Sequence, residues 1–130
     1  MPDSNPPAAE AQRAVLDRSA LEVIRSLQSD AAPDLLARVV RAYLESAPGL
    51  ISRLREGMAS LDHETIRIAA HTLKSSSANL GAKMLADLCK KLELAARVRS
   101  IGPDTPGVLE IEREYGAVRQ ALEMELTLAR

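Results

Sequence analysis

The stretch DHETIRIAAHTLKSSSANLG, residues 62–81, contains the start, the inward stripe and the end of one amphipathic helix. Asp62 is a residue type that caps helix N-termini, and Gly81 suits the left-handed turn that ends many helices. At about 100° per residue, the inward positions fall together on one side of this helix. They are Ile66, Ala69, Ala70, Leu73, Ser77 and Leu80. The pattern predicts a helix that packs one face into a protein core.

His71 lies roughly 150° from the middle of that inward stripe, so we expect its imidazole to stand in solvent. The nearest side chains toward the C-terminus are Lys74 at i+3 and Ser75 at i+4. Because Ser75 and, about one turn further on, Ala78 are small, they leave the ring uncovered from the C-terminal side. An ordinary solvated helix face is the alternative interpretation of an exposed histidine beside a lysine.

Upstream of this helix, the spacing of apolar residues predicts a short helix followed by a long one. Asp17 suits the N-cap of the short helix, with Leu16 and Leu21 placed as a hydrophobic staple. Pro33 is expected to open the long helix in its first turn. Pro48 is expected to bend or restart that helix.

Downstream, two more helices are predicted, and no segment of the chain shows the alternation of a strand. The stripe of the first comprises Leu85, Leu88, Cys89, Leu92 and Ala96. Thr105 is expected to cap the last helix, which would begin at Pro106. Leu61 and Ile66 are expected to form a second staple. The predicted fold is therefore all-α, an antiparallel four-helix bundle with a short additional N-terminal helix.

Composition restricts the class of protein. The chain of 130 residues fits one small domain, and its formal charge of −1 gives no global attraction to nucleic acid or to an anionic membrane. The absence of Phe and Trp removes the aromatic platforms on which single-strand binders stack bases. Cys89 is the only cysteine, which predicts a buried, inert thiol in a reducing compartment such as the cytoplasm.

The N-terminal residues differ in composition from the rest of the chain. Residues 1–15 are rich in Pro, Ala and polar side chains, and we interpret them as a flexible leader or interdomain linker. A frayed terminus is the alternative. Residues 16–130 are then expected to form the helical bundle domain.

Two stretches resemble one protein family, the histidine-containing phosphotransfer (HPt) domains of bacterial phosphorelays. AAHTLKSSSANLGA, residues 69–82, resembles the signature around the phosphorylated histidine, and LADLCKKLE, residues 85–93, resembles the helix that follows it. The resemblance implies that His71 accepts a phosphoryl group from an aspartate of a receiver (response-regulator) domain and passes it to an aspartate of another receiver. It also suggests a cytoplasmic module of a hybrid sensor histidine kinase, which would tether it to a membrane-bound kinase. A free-standing domain is the alternative.

The same resemblance suggests roles for three further residues. Lys74 aligns with a family lysine beside the phosphoryl group, whose charge it would partly neutralise. Ser75 stands where many relatives have glycine, so access to the imidazole is expected to be narrowed but still open. Glu93 falls where relatives often have a glutamine or glutamate that hydrogen-bonds the imidazole.

Elementary chemistry supports these roles independently. Histidine has an unperturbed pKa of about 6.5, so much of it is neutral and nucleophilic near pH 7. Glu93 lies at the edge of its helix's apolar stripe, from where it could accept a bond from one ring N–H and leave the other nitrogen's lone pair free. A solvated boundary residue is the alternative for Glu93.

Basic residues near His71 are interpreted as complementing an acidic receiver pocket, with ordinary solvation as the alternative. They are Arg67, Lys74, Lys83, Lys90 and Lys91. The segment HETIR, residues 63–67, misses the HExxH zinc motif because Arg67 stands where the second histidine is required. With no phosphate-cradling glycine loop, the expectation is a phosphoryl carrier without its own ATP site, metal or cofactor. Mg²⁺ is expected in the partner receiver.

Two other functions stay open from the residues alone. The domain could be a docking module that binds and restrains a non-receiver partner independently of phosphorylation, or a purely structural or dimerising bundle. We expect a monomer as the isolated domain, with neither nucleic acid nor membrane as a partner.

Overall fold

The computed structural model describes residues 15–128, which form five helices. They are α1 (Arg18–Ser26), α2 (Leu35–Ser60), α3 (His63–Asn79), α4 (Lys83–Arg97) and α5 (Val108–Leu128). Within the described residues the only departure from helix and loop is an isolated β-bridge between Ser29 and Ala32. The predicted all-α fold, with a short helix before four long ones, is confirmed. The predicted leader, residues 1–15, lies outside the described residues except for Val15.

Two of the predicted helix starts are confirmed by their capping bonds. The Asp17 carboxylate accepts from the Ser19 N–H at 3.0 Å, and the Asp62 carboxylate accepts from the Thr65 N–H at 3.2 Å. The predicted staple of Leu61 with Ile66 is wrong, because Leu61 is the left-handed C-cap of α2 with φ 51° and its side chain is exposed. Only two residues separate α2 from α3, and this tight turn points the Leu61 side chain away from the core.

The prolines do not define α2 as expected. The helix begins at Leu35, after Pro33, and the Gln28 side chain accepts from the Leu36 N–H at 3.1 Å in place of an N-cap side chain. Helix α2 then continues through Pro48 without restarting. Pro48 is exposed, and the buried residues Ala47 and Ile51 lie on either side of it. Their packing in the core stabilises the helix although proline cannot donate its backbone hydrogen bond.

The last helix also begins later than expected, at Val108 rather than at Pro106. Thr105 does not cap it. Its hydroxyl accepts from the Gly102 N–H at 3.0 Å and so closes the α4–α5 loop, while the Gly107 carbonyl accepts the first helical bond, from the Ile111 N–H. The loop therefore uses the hydroxyl that was expected at the helix start.

Helix α3 packs between α2 and α4, and this position sets which of its faces reaches solvent. Gly57 lets α2 and α3 approach closely, because a Cβ there would lie 2.8 Å from Ile66 Cγ1. Ser77 is buried and shares a 2.8 Å hydrogen bond with the Tyr43 hydroxyl of α2. Cys89 is buried, and burial raises the pKa of its thiol to about 12, as expected of an inert thiol.

The α3–α4 turn also holds the start of α1. The Asp17 N–H donates to the Gly81 carbonyl at 2.8 Å, and Lys83 Nζ lies 2.8 Å from the Asp17 carboxylate. Hydrogen bonds from Lys83 and Ser19 lower the pKa of Asp17 to about 2. None of the helices between residues 15 and 128 combines the length and the apolarity needed to cross a membrane.

We predict that Gly81→Ala destabilises the domain by about 1–3 kcal/mol, measured by urea unfolding. Gly81 has φ 80°, and a Cβ there would lie 2.5 Å from the Asp17 carbonyl oxygen, so both the backbone and α1 must shift. Gly116→Ala is the matched control, because its added Cβ inside α5 would meet no atom within 4 Å beyond its chain neighbours and the helix's own nearby backbone. That change should stabilise by about 0.5–1 kcal/mol. Equal effects at the two positions would contradict the prediction.

Candidate functional site

His71 lies near the middle of α3 with its side chain 57 % exposed, so the expectation that the ring stands in solvent is confirmed. Ser75 and Ala78 continue the same face toward the C-terminus and are also exposed. Neither can cover the ring with a bulky group. His63 is separate from this site, in the first turn of α3.

Glu93 lies across from His71 on α4, and its carboxylate contacts the imidazole. The residue is only 3 % exposed, and its Oε2 lies 2.8 Å from His71 Nδ1. Of the two interpretations left open for Glu93, the structure therefore excludes a solvated boundary residue. The stripe of α4 faces α3, which brings a residue at its edge directly under the exposed histidine.

Two cations complete the surroundings of the Glu93 carboxylate. Lys74 Nζ donates to Oε1 at 2.5 Å, and Arg97 Nη2 donates to Oε2 at 3.2 Å. A buried carboxylate is retained only when its charge is paired and hydrogen-bonded, and these donors supply that pairing. Sequence reasoning missed Arg97, although a Glu–Arg pair at i, i+4 on one helix is a recognisable signal.

The carboxylate is ionised at neutral pH. Burial acts to raise the pKa of Glu93, but hydrogen bonds from Lys74 and His71 outweigh it and hold that pKa below its ordinary value. An ionised carboxylate can only accept, so Nδ1 of His71 must carry the proton. A neutral His71 ring therefore presents Nε2 with a free lone pair, on its other edge.

The basic residues expected around His71 do not form one positive patch. Lys74 is 29 % exposed and bound to Glu93, while three others pair with nearby acids. Those pairs are Arg67 with Glu64, Lys83 with Asp17 and Lys91 with Asp87. Lys90 lines a shallow cavity of about 130 Å³ together with Lys74, Glu93, Leu94 and Arg97. Positive charge is thus concentrated on the α4 side of the histidine.

An apolar groove, which sequence reasoning did not predict, lies on the other side of the histidine face. It encloses about 520 Å³ between α1, α2 and the end of α3. Its lining includes Val23 and Leu27, which are 62 % and 65 % exposed, and Ala78, two turns from His71 on α3. Among residues 15–128, no group of three or more His, Cys, Asp or Glu side chains is placed to hold a metal ion.

Comparison with known proteins places this geometry in a family context. The family model described as the Hpt domain matches residues 38–123. Histidine-containing phosphotransfer protein 2 of Arabidopsis thaliana is 25 % identical over 115 residues, covering 86 % of this chain and 73 % of that protein. Histidine-containing phosphotransfer protein 5 of the same plant is 24 % identical with the same coverage.

A solved structure shows the same fold. The crystal structure of histidine-containing phosphotransfer protein B (HptB) from Pseudomonas aeruginosa PAO1 superposes with a TM-score of 0.77 and 27 % identity. The match covers 89 % of this chain and 97 % of that one. The similarity therefore extends beyond the α3–α4 pair to nearly the whole described bundle.

We predict that Glu93→Gln lowers the free energy of unfolding by about 1–2 kcal/mol at pH 7, because two cations lose their buried carboxylate. The folded pKa of Glu93 lies below its ordinary value, so the ionised group stabilises the fold above the unfolded pKa of about 4.3. That contribution is lost as pH falls through the folded pKa. Urea unfolding from pH 7 to pH 3 should therefore show the wild-type and variant curves converging.

The control for this series is Glu56→Gln, which neutralises an exposed glutamate on α2. It should track the wild type within about 0.5 kcal/mol throughout. A difference between Glu93→Gln and wild type that grew as the pH fell from 5 to 3 would mean that the folded pKa of Glu93 is raised, contrary to the ion pairing described above.

Proposed function

This chain belongs to the Hpt domain family and is a phosphotransfer intermediate of a phosphorelay, and we propose that His71 is the residue that carries its phosphoryl group. One observation carries this assignment. His71 is 57 % exposed while its Nδ1 is bound to the buried Glu93 carboxylate, so the ring is held from behind and open in front. His63 has no comparable support from a buried acid among the described residues.

The proposed step exchanges one bond to phosphorus for another. The lone pair on Nε2 of His71 attacks the phosphorus of a receiver's aspartyl phosphate, the N–P bond forms, and the P–O bond to the aspartate breaks. The bonding electrons leave with the aspartate as a carboxylate, and the Nδ1 proton stays where it is. The ring gains positive charge during attack, and the Glu93 carboxylate 2.8 Å away stabilises it. The reverse step delivers the group to a second receiver.

Lys74, one helical turn from His71, is proposed to act on the phosphoryl group, and Ser75 is proposed to leave access to the ring. Lys74 retains two N–H bonds beyond the one it donates to Glu93, and these are free to turn toward the added negative charge. A partly exposed pair of this kind is worth about 0–1 kcal/mol, so Lys74 tunes the transfer. Ser75 is small enough to admit the receiver.

The receiver is proposed to dock over the apolar groove defined by α1, α2 and the end of α3. Ala78 lines this groove and also lies on the His71 face, so a partner seated there would bring its aspartate over the imidazole. Exposed apolar side chains next to a reactive group are typical of an interaction site. Mg²⁺ is proposed to come with the receiver, held by its carboxylates.

The setting of the domain is also a proposal. The free, buried Cys89 suits a reducing compartment such as the cytoplasm, and the resemblance suggests a hybrid sensor kinase as the parent protein. We expect the isolated domain to be a monomer because its core residues are buried within one chain. A single species of about 14 kDa in sedimentation equilibrium would support this, given a chain mass of 14.0 kDa.

We predict that His71→Gln reduces phosphoryl transfer from a radiolabelled phosphorylated receiver to background, because the variant lacks the nucleophile. The wild-type label should be acid-labile, and ¹⁵N–³¹P coupling should place phosphorus on Nε2. His63→Gln is the matched control and should accept label at the wild-type rate. Equal labelling of the His71 variant, or coupling to Nδ1, would show that the assignment is wrong.

We predict that Leu27→Glu raises the KM for the phosphorylated receiver roughly tenfold while kcat changes little, because it puts a charge into the docking groove. Leu109→Glu is the control, since Leu109 is 61 % exposed, close to the 65 % of Leu27, but lies outside the groove lining. Steady-state transfer kinetics separate the two. If both variants behaved like wild type, the receiver would have to dock elsewhere.

A further inference from the structure

A second buried carboxylate, which takes no part in the chemistry at His71, joins the first helix to the last. Glu125 of α5 is 5 % exposed. Its Oε1 accepts from Arg18 Nη1, and its Oε2 accepts from Arg25 Nη2 at 2.8 Å. The two arginines lie seven residues apart on α1, so they occupy one face of that helix, two turns from each other.

The cost of placing Glu125 there shows how much it depends on these arginines. Burial of an unpaired carboxylate is strongly unfavourable. Helix α1 has only nine residues and is too short to be stable alone. The Glu125 carboxylate therefore depends on the arginines of α1, and α1 depends on its contact with Glu125.

The arginine face of α1 points away from the groove. At about 100° per residue, Arg18 and Arg25 fall within about 20° of each other, and the groove-lining residues centre roughly 160° away from them. Those groove residues are Ala20, Val23, Ile24 and Leu27. Leu21, on the core side, is fully buried. Glu125 thus holds α1 from behind while the opposite face of α1 forms one wall of the groove.

We propose that Glu125 is a positioning residue for receiver docking. It fixes the position of α1, and through α1 it sets the shape of the groove and hence the affinity for the phosphorylated receiver. The inference rests on the proposed function, because it assigns α1 to the docking surface next to His71. It adds a residue on the far side of α1 that touches neither the receiver nor the phosphoryl group.

The test compares two phosphoryl donors. In Glu125→Gln, the KM for the phosphorylated receiver should rise roughly fivefold to tenfold with kcat nearly unchanged. The amide keeps one acceptor oxygen, so one of the two bonds from Arg18 and Arg25 is lost. Labelling of His71 by phosphoramidate should stay within about twofold of wild type, because a donor this small needs no docking surface. A loss of fold would lower both rates together.

Two further variants make the outcome decisive. Glu123→Gln neutralises an exposed glutamate that pairs with Arg119 on α5, and it should match wild type in both assays. The contacts of Glu125 with Arg18 and Arg25 are called the clamp below. Arg25→Gln removes one of these contacts from a partly exposed side chain, so it tests the docking role of the clamp if Glu125→Gln does not fold. The double variant Arg25→Gln/Glu125→Gln should raise KM no more than Glu125→Gln alone, because Glu125→Gln already removes the buried carboxylate that Arg25 binds, and the other partner of Arg25, Glu22, is exposed.

An unchanged KM in folded Glu125→Gln and Arg25→Gln would overturn the proposal and leave the clamp with a structural role only. Amide hydrogen exchange of α1 gives a readout that does not depend on phosphotransfer. Exchange should be faster in Glu125→Gln than in Glu123→Gln. If the wild type accepts no phosphoryl group from receivers but α1 exchange still accelerates, the proposed function has failed and the clamp has not. Unchanged exchange would show that Glu125 does not position α1.

Discussion

The site depends on one buried carboxylate between α3 and α4. Glu93 is 3 % exposed, and a charge at that depth is tolerated only because His71, Lys74 and Arg97 surround it with donors. The same contacts fix the tautomer and the direction of the imidazole. Since two of the donors come from α3 and one from α4, the cluster also sets the relative position of these two helices. The orientation of the proposed nucleophile and the packing of α3 against α4 therefore share one set of hydrogen bonds.

The packing of α3 against its neighbours fixes the position of the hydrogen-bonded cluster around Glu93. Helix α3 must bury one face and expose the other, and its inner face is fixed on both sides. Gly57 permits close contact with α2, and Ser77 hydrogen-bonds Tyr43. The left-handed Gly81 then turns the chain into α4 so that Glu93 faces back toward His71. Because the ring is oriented by elements packed against each other, the proposed transfer from a receiver would need little reorganisation of the ring.

Helical periodicity and capping preferences predicted the features that depend only on nearby residues in the chain. The 3.6-residue period gave the helices and the outward direction of His71, and capping chemistry gave Asp17 and Asp62. The restart expected at Pro48 and the cap expected at Thr105 are both absent, because tertiary packing overrode a local preference. Buried neighbours keep α2 continuous at its proline, and the loop uses the threonine hydroxyl. The depth of Glu93 depends on how α4 is rotated against α3, which one helix's period does not determine. The groove likewise exists only once α1, α2 and α3 are assembled.

The two buried glutamates share a signal that helical spacing does contain. Glu125 follows Ile111, Tyr115, Val118 and Leu122 at core spacing, and Glu93 adjoins the stripe that contains Leu92 and Ala96. An acid at such a position must find cations on a neighbouring helix or destabilise the fold. Glu93 finds Lys74 on α3, and Glu125 finds Arg18 and Arg25 on α1. One acid holds the proposed nucleophile and the other holds a wall of the proposed docking groove, so in this proposal reactivity and recognition rest on separate ion clusters that can change independently.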